Sequence, residues 1–199
     1  MKNSRTLQSV LLQLAFITFL SFSIVSCDNK AKTEDSAEVA EDQNEAKMDG
    51  TKNEDDAEFL VDVAESNQEE IALGKLAQEK GSMTDVKELG KMMETAHTQS
   101  HTELVALAAQ KSITLPETTT EDVNESYKKM SEMKSGKEFD EDYCEMMIDK
   151  HKKNIEMFEK ASTDSVDPDI KMMATNKLPD LRKHLEMAEM CKKKCDAMK

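Results

Sequence analysis

Three of the four histidines in this chain fall mid-helix on rows that are otherwise apolar. Counted with a period of about 3.6 residues, His97 shares a row with Val86, Leu89, Met93, Leu104 and Leu107. His151 shares one with Cys144, Met147, Ile155 and Phe158, and His184 with Ile170, Met173, Leu181, Ala188 and Cys191. A fourth row, of Phe59, Val63, Leu73 and Ala77, holds Glu70. At a rise of about 1.5 Å per residue, the four polar positions fall near the middle of four different helices. Imidazole and carboxylate suit zinc, iron or copper, so one expectation is a layer of Glu70, His97, His151 and His184 around a transition metal ion. The competing expectation is that each histidine is a core side chain whose hydrogen bond is met by Glu70 or Tyr143. His101, one turn beyond His97, either joins that layer or lies at the surface.

A second group of ligand types stands at the C-terminus. Cys191 and Cys195 are four residues apart and share a helix face with Met187 and Met198. Thiolate and thioether are the donors that reduced copper prefers. Methionine at helical spacing also serves as adaptable core packing, which is the plainer reading of Met130, Met133, Met146, Met147, Met157, Met172 and Met173. Cys144 is a third thiol, available to pair with one of the C-terminal cysteines. It lies two turns from His151, and no Ser-His-Asp or Cys-His set has a spacing that would activate a nucleophile. The chemistry to expect is binding rather than hydrolysis.

The elements that must carry these residues are helices. The apolar pattern predicts helices over 56–80 and 83–111, a short one over 121–134, and long ones over 137–161 and 168–197. Ser82 followed by Asp85 reads as a capping box for the second helix, and Asp167-Pro168 as a cap with proline at the first helical position. Pro179 is expected to kink or divide the last helix. Four long helices and a short crossover predict an all-α four-helix bundle.

Composition narrows the setting. The chain has 199 residues, 4% aromatics, five glycines and three prolines, which speaks against a turn-dense β fold. Its net charge of −14 excludes the basic surface that nucleic acid needs. Lys2 and Arg5 precede an apolar run from Val10 to Val25, too short to span a bilayer and suited to an export signal. That run ends Ile24-Val25-Ser26-Cys27, which resembles the bacterial lipobox. The resemblance implies cleavage before Cys27, a lipid on its sulfur, and a protein anchored by lipid to a membrane of the cell envelope. Residues 28–57 carry eleven acids against four lysines and little apolar surface. They are expected to form a disordered acidic linker, leaving 58–199 as the folded domain with a C-terminal helical extension.

Three ordered segments carry a family resemblance: Glu70-Ile71-Ala72-Leu73-Gly74-Lys75-Leu76-Ala77; Phe139-Asp140-Glu141-Asp142-Tyr143 leading to Ile148-Asp149-Lys150-His151; and Leu178-Pro179-Asp180-Leu181-Arg182-Lys183-His184-Leu185. Over residues ~58–190 they resemble the bacterial domain of unknown function number 4142, a secreted family regarded as ferritin-like. The resemblance implies a ferritin-like bundle and no assigned activity. Members tend to carry Asp just before the first two histidines, where this chain has Ala96 and Lys150. A ferritin-type di-iron centre also needs Glu from two helices and Glu-x-x-His from two more. Only Glu94-Thr95-Ala96-His97 has that spacing, so a mononuclear site is the expectation if metal binds. A non-catalytic envelope or stress-related scaffold with structural histidines is the alternative, and a metal-dependent oxidoreductase is disfavoured.

Overall fold

A computed structural model describes residues 35–48 and 52–198 of the chain. The export signal, Cys27 and residues 28–34 lie outside the described residues. Six helices follow one another: α1 (Ser36–Met48), α2 (Lys52–Lys80), α3 (Thr84–Lys111), α4 (Glu121–Glu132), α5 (Lys137–Asp164) and α6 (Pro168–Ala197). The described residues are all-α. Helix α2 packs along α3 and α5 along α6, each pair joined by a three-residue turn, which makes two antiparallel hairpins. The hairpins meet through contacts of α3 with α6 and of α2 with α5, while α1 and α4 lie against α2.

Each turn is held by a buried aspartate from the other hairpin. Asp140 on α5 accepts from the Ser82 and Met83 amides at 2.9 Å each and from the Ser82 hydroxyl at 2.5 Å. Asp56 on α2 accepts from the amides of Val166 and Asp167 at 3.2 and 2.8 Å. The first of these corrects the expected capping box. Met83 is the residue that caps α3, with no side-chain cap bond of its own, and Ser82 is spent on Asp140. A carboxylate at a helix N-terminus satisfies amides that have no partner within the helix and meets the positive end of its dipole. At α6 the local signal holds, since Asp167 accepts from the Asp169 and Ile170 amides and Pro168 opens the helix.

Two further expectations are corrected. Residues 36–48 of the linker form helix α1 rather than disordered chain. Although its sequence is polar, Ala40 and Asn44 are buried. Asn44 makes a two-way bond with the Thr114 backbone, accepting from its amide at 2.7 Å and donating to its carbonyl at 2.9 Å. Those bonds tie the helix to the α3–α4 connection and offset an ordering cost that apolar burial alone would not meet. Helix α6, for its part, runs unbroken through Pro179. The proline ring lies on the exposed face, where water can solvate the Thr175 carbonyl left without an amide partner.

The interior divides into two apolar clusters. One joins Phe59, Leu60 and Val63 of α2 to Leu104, Phe158, Ile170 and Leu181. The other joins Leu73 and Leu76 to Val86, Met93, Phe139, Tyr143, Met147 and Ala188. Between them, on every long helix, falls a short polar interval containing Glu70, His97, His151 or His184.

What sets the height of α2 against α3 is a glycine contact. A Cβ on Gly90 would lie 2.7 Å from the Gly74 carbonyl oxygen and 2.8 Å from the Ala77 Cβ, and one on Gly74 only 2.6 Å from the Gly90 carbonyl oxygen. These backbones therefore touch one turn from Glu70 and two turns from His97. Gly90→Ala should destabilise the protein by about 1–3 kcal/mol through overpacking, despite the gain of up to ~1 kcal/mol in helix propensity that alanine brings. Chemical denaturation would check the sign, which would be stabilising if the helices were free to part.

Candidate metal centre

The four side chains expected to converge do so. His97 Nε2 lies 3.0 Å and His151 Nε2 3.5 Å from Glu70 Oε2. The three imidazole rings are mutually 5.4–5.7 Å apart, centroid to centroid. One ring nitrogen from each of His97, His151 and His184 lies within 4.8 Å of the other two. Glu70 and His151 are fully buried, His97 is 4% exposed, and His184 is half-buried. A cleft of about 220 Å³, lined by Ser66, Asn67, Ala96, Ser100, Asp180 and Leu181, reaches His97 and His184 from the surface.

The polarity of this cluster is its distinctive property. His151 Nδ1 lies 2.9 Å from the Met147 carbonyl oxygen, which can only accept, so Nδ1 carries the proton. In the neutral ring Nε2 then presents a bare lone pair. His97 Nδ1 lies 2.9 Å from Asn67 Oδ1 and repeats the arrangement. Both Nε2 atoms and Glu70 Oε2 are buried without a hydrogen-bond partner, as is His184 Nδ1. Acceptors thus face acceptors in the interior, which is unfavourable unless a proton, a cation or a donor lies between them.

Electrostatics agree with the tautomers. Desolvation pushes the Glu70 carboxyl up, but the three imidazoles, His97 foremost, outweigh it in acid and bring it down to about 2. Glu70 is therefore ionised at neutral pH. Burial, helped by the neighbouring His97 and His151, lowers His184 to about 4 and keeps its imidazole neutral, the form that binds metal.

Several supporting residues were not singled out by the sequence. Asn154 donates to Glu70 Oε1 at 3.1 Å and to Ser66 Oγ at 2.8 Å. Asn67 and the Met147 carbonyl orient the imidazoles of His97 and His151. Lys150 pairs with the buried Glu69. Asn67 stands three residues before Glu70 and Asn154 three after His151, so both were visible as polar interruptions of an apolar row. The neighbouring candidates lie outside the cluster. Glu94 accepts from Gln78 at 2.7 Å and faces Lys75, His101 is half-buried and apart from the trio, and the Tyr143 hydroxyl bonds to none of the histidines. With Glu94 directed elsewhere, Glu70 supplies the fully buried carboxylate, and Asp180 lines the cleft beside His184.

The C-terminal candidates are rearranged. Cys191 and Cys195 are buried and face Cys144 on α5. Met187 is half-buried beside them. Met198, by contrast, lies past the end of α6, is 40% exposed and receives Lys137 on its carbonyl. The soft donor set therefore loses Met198 and gains Cys144 from another helix. Among the described residues no helix is long and apolar enough to cross a membrane.

Neither the curated proteins nor the solved structures include a match to this chain. The family model described as "Domain of unknown function (DUF4142)" matches residues 39–191, starting inside α1 and including all four residues of the polar layer. The chain belongs to that family of unassigned activity.

Proposed function

We propose that this protein is a lipid-anchored component of the bacterial cell envelope, a ferritin-like four-helix bundle that binds one transition metal ion through Glu70, His97, His151 and His184. The observation that carries the reading is the convergence of buried acceptors with their outward nitrogens already committed as donors. Metal-binding histidines characteristically donate their second nitrogen to a carbonyl or carboxylate, which fixes ring and tautomer. Three imidazoles and one carboxylate suit zinc or iron(II), and the N···O separations near 3 Å fit neighbouring ligands at bond lengths of about 2.0–2.1 Å. A bound ion there would supply positive charge and a Lewis-acid centre. The residues themselves bind and orient it, while the two apolar clusters keep water from all but the His184 side. With a single fully buried carboxylate and no adjacent nucleophile, the site suits sequestration or sensing better than turnover.

Elemental analysis tests the metal reading. The full-length protein, exposed separately to zinc(II), iron(II) and reduced copper and then dialysed, should retain about one zinc or iron per chain. His151→Ala and His184→Ala should lose that ion yet keep a folded, helical apo state. Histidines that are purely structural would retain no ion in any of the three conditions.

The anchoring reading rests on the Ile24-Val25-Ser26-Cys27 motif and the polar chain that follows it. Cys27→Ser should shift the protein from the membrane fraction and keep the signal attached, seen as a higher mass. An unchanged distribution would refute the lipid anchor.

A further inference from the structure

The cluster of Cys144, Cys191 and Cys195 is separate from the polar layer. Cys191 and Cys195 stand one turn apart on α6, and Cys144 faces them from α5, the partner in the same hairpin. All three are buried, at 0%, 4% and 0% exposure for Cys144, Cys191 and Cys195. The Cys144 thiol donates to Cys191 Sγ at 2.9 Å and lies 3.9 Å from Cys195 Sγ. All three sulfurs lie within 4.8 Å of one another. Around them pack Phe139, Tyr143, Met147 and Ala188, with Met187 at the edge.

We propose that Cys144, Cys191 and Cys195 form a second metal site, one that takes a soft monovalent ion, copper(I), in three-sulfur coordination. Sulfurs bonded at about 2.3 Å around one ion stand roughly 3.7–4.0 Å apart. The Cys144–Cys195 separation already has this value, and the Cys144–Cys191 pair must open by a side-chain torsion. Zinc would ask for a fourth donor or a water, and the neighbouring buried carboxylate, Asp140, is already engaged by the Ser82 and Met83 amides and the Ser82 hydroxyl. Copper(I) favours thiolate and thioether ligands, so a set of three sulfurs matches it. Two of the three thiols sit on one rigid helical turn, which fixes their spacing before any ion arrives.

Binding moves protons and no electrons. Each thiol that coordinates gives its S–H proton to solvent, and copper enters and stays as copper(I). The thiols are unequal in readiness. The hydrogen bond from Cys144 lowers Cys191, burial raises Cys195 to about 11, and Cys144, donating that bond and buried, is raised far above the ordinary thiol range.

The two sites are stacked. Cys144 and His151 on α5, and His184 and Cys191 on α6, are each seven residues apart, a rise of about 10.5 Å. Soft and borderline ions thus have distinct seats in one hairpin, which makes their losses separable.

The test is anaerobic titration of the reduced full-length protein with copper(I) against a colorimetric copper(I) chelator. One copper per chain should be held, with affinity falling at least about 100-fold in Cys144→Ala and in Cys191→Ala/Cys195→Ala. Zinc or iron retained by wild type at the polar layer should be unchanged in both variants, while His151→Ala should leave copper(I) binding intact. Should Cys144→Ala fail to fold, alkylation of wild type with iodoacetamide replaces it. Copper(I) should then protect all three cysteines, mapped peptide by peptide. Copper affinity unaffected by the cysteine changes, or alkylation equal with and without copper, would overturn the proposal. So would a reduced protein that takes no copper and instead oxidises to a Cys144–Cys191 disulfide.

Discussion

Glu70→Gln should weaken metal binding by about 100-fold or more and, at pH 8, make the metal-free protein more stable. The two effects have opposite sign because they have the same origin. Glu70 Oε2 faces the bare Nε2 atoms of His97 and His151 at 3.0 and 3.5 Å. With an ion between them the carboxylate is a charged ligand, and losing it costs at least what loss of an outer-sphere partner costs, 10–100-fold. Without an ion it is a buried charge facing lone pairs. A glutamine amide there keeps the Oε1 acceptor for Asn154, brings an N–H donor to an imidazole and removes the charge. The gain should be about 1–2 kcal/mol in chemical denaturation.

Acid should widen this difference. Burial pushes the Glu70 carboxyl up, but the three imidazoles, His97 foremost, bring it down to about 2. A carboxyl lowered on folding contributes stability that is complete above its unfolded value of about 4.3 and is lost as pH falls toward 2. Between about pH 4.3 and 2, then, wild type should lose stability that the Gln variant, which has no carboxyl to titrate, keeps. A Gln variant that is less stable at every pH would mean that the histidines are charged structural partners and that no cation is needed among them.

Asp140→Ala should cost about 3 kcal/mol. The Asp140 carboxylate is fully buried and accepts three hydrogen bonds at the turn that starts α3. Bonds to a charged acceptor contribute about 1.5–3 kcal/mol, and the amides of Ser82 and Met83 left unpaired add their desolvation cost. Asp140→Asn retains one acceptor oxygen and should lose roughly half as much. Hydrogen exchange should quicken first at the amides of Ser82 and Met83, before the α5–α6 turn held by Asp56 responds. A loss under about 0.5 kcal/mol for the alanine variant would place Asp140 among ordinary surface aspartates and sink the tertiary-cap account.

Both predictions depend on partners that one helix cannot reveal about another. The apolar rows fixed the direction and approximate height of each side chain on its own helix, because a 3.6-residue period is a property of local sequence. That is why Glu70, His97, His151 and His184 were readable as one layer, and why the opening of α6 at Asp167-Pro168 was legible in two residues. The relative heights of the helices were a different matter. They follow from the Gly74–Gly90 backbone contact and from the reciprocal hold of Asp140 and Asp56 on the turns, all of them long-range in sequence.

The misreadings share that origin. Ser82 carried a valid local capping signal, but a buried carboxylate on α5 competes for it with three bonds at once. Helix α1 looked like solvated linker because its stabilising bonds go to Thr114, some 70 residues away. Met198 looked like a ligand until the helix ended before it. Local pattern specifies an acidic, helical chain with ligand-type residues on its buried faces. Which of those residues meet depends on the register between helices, and that register is set by contacts between distant segments rather than by any local period.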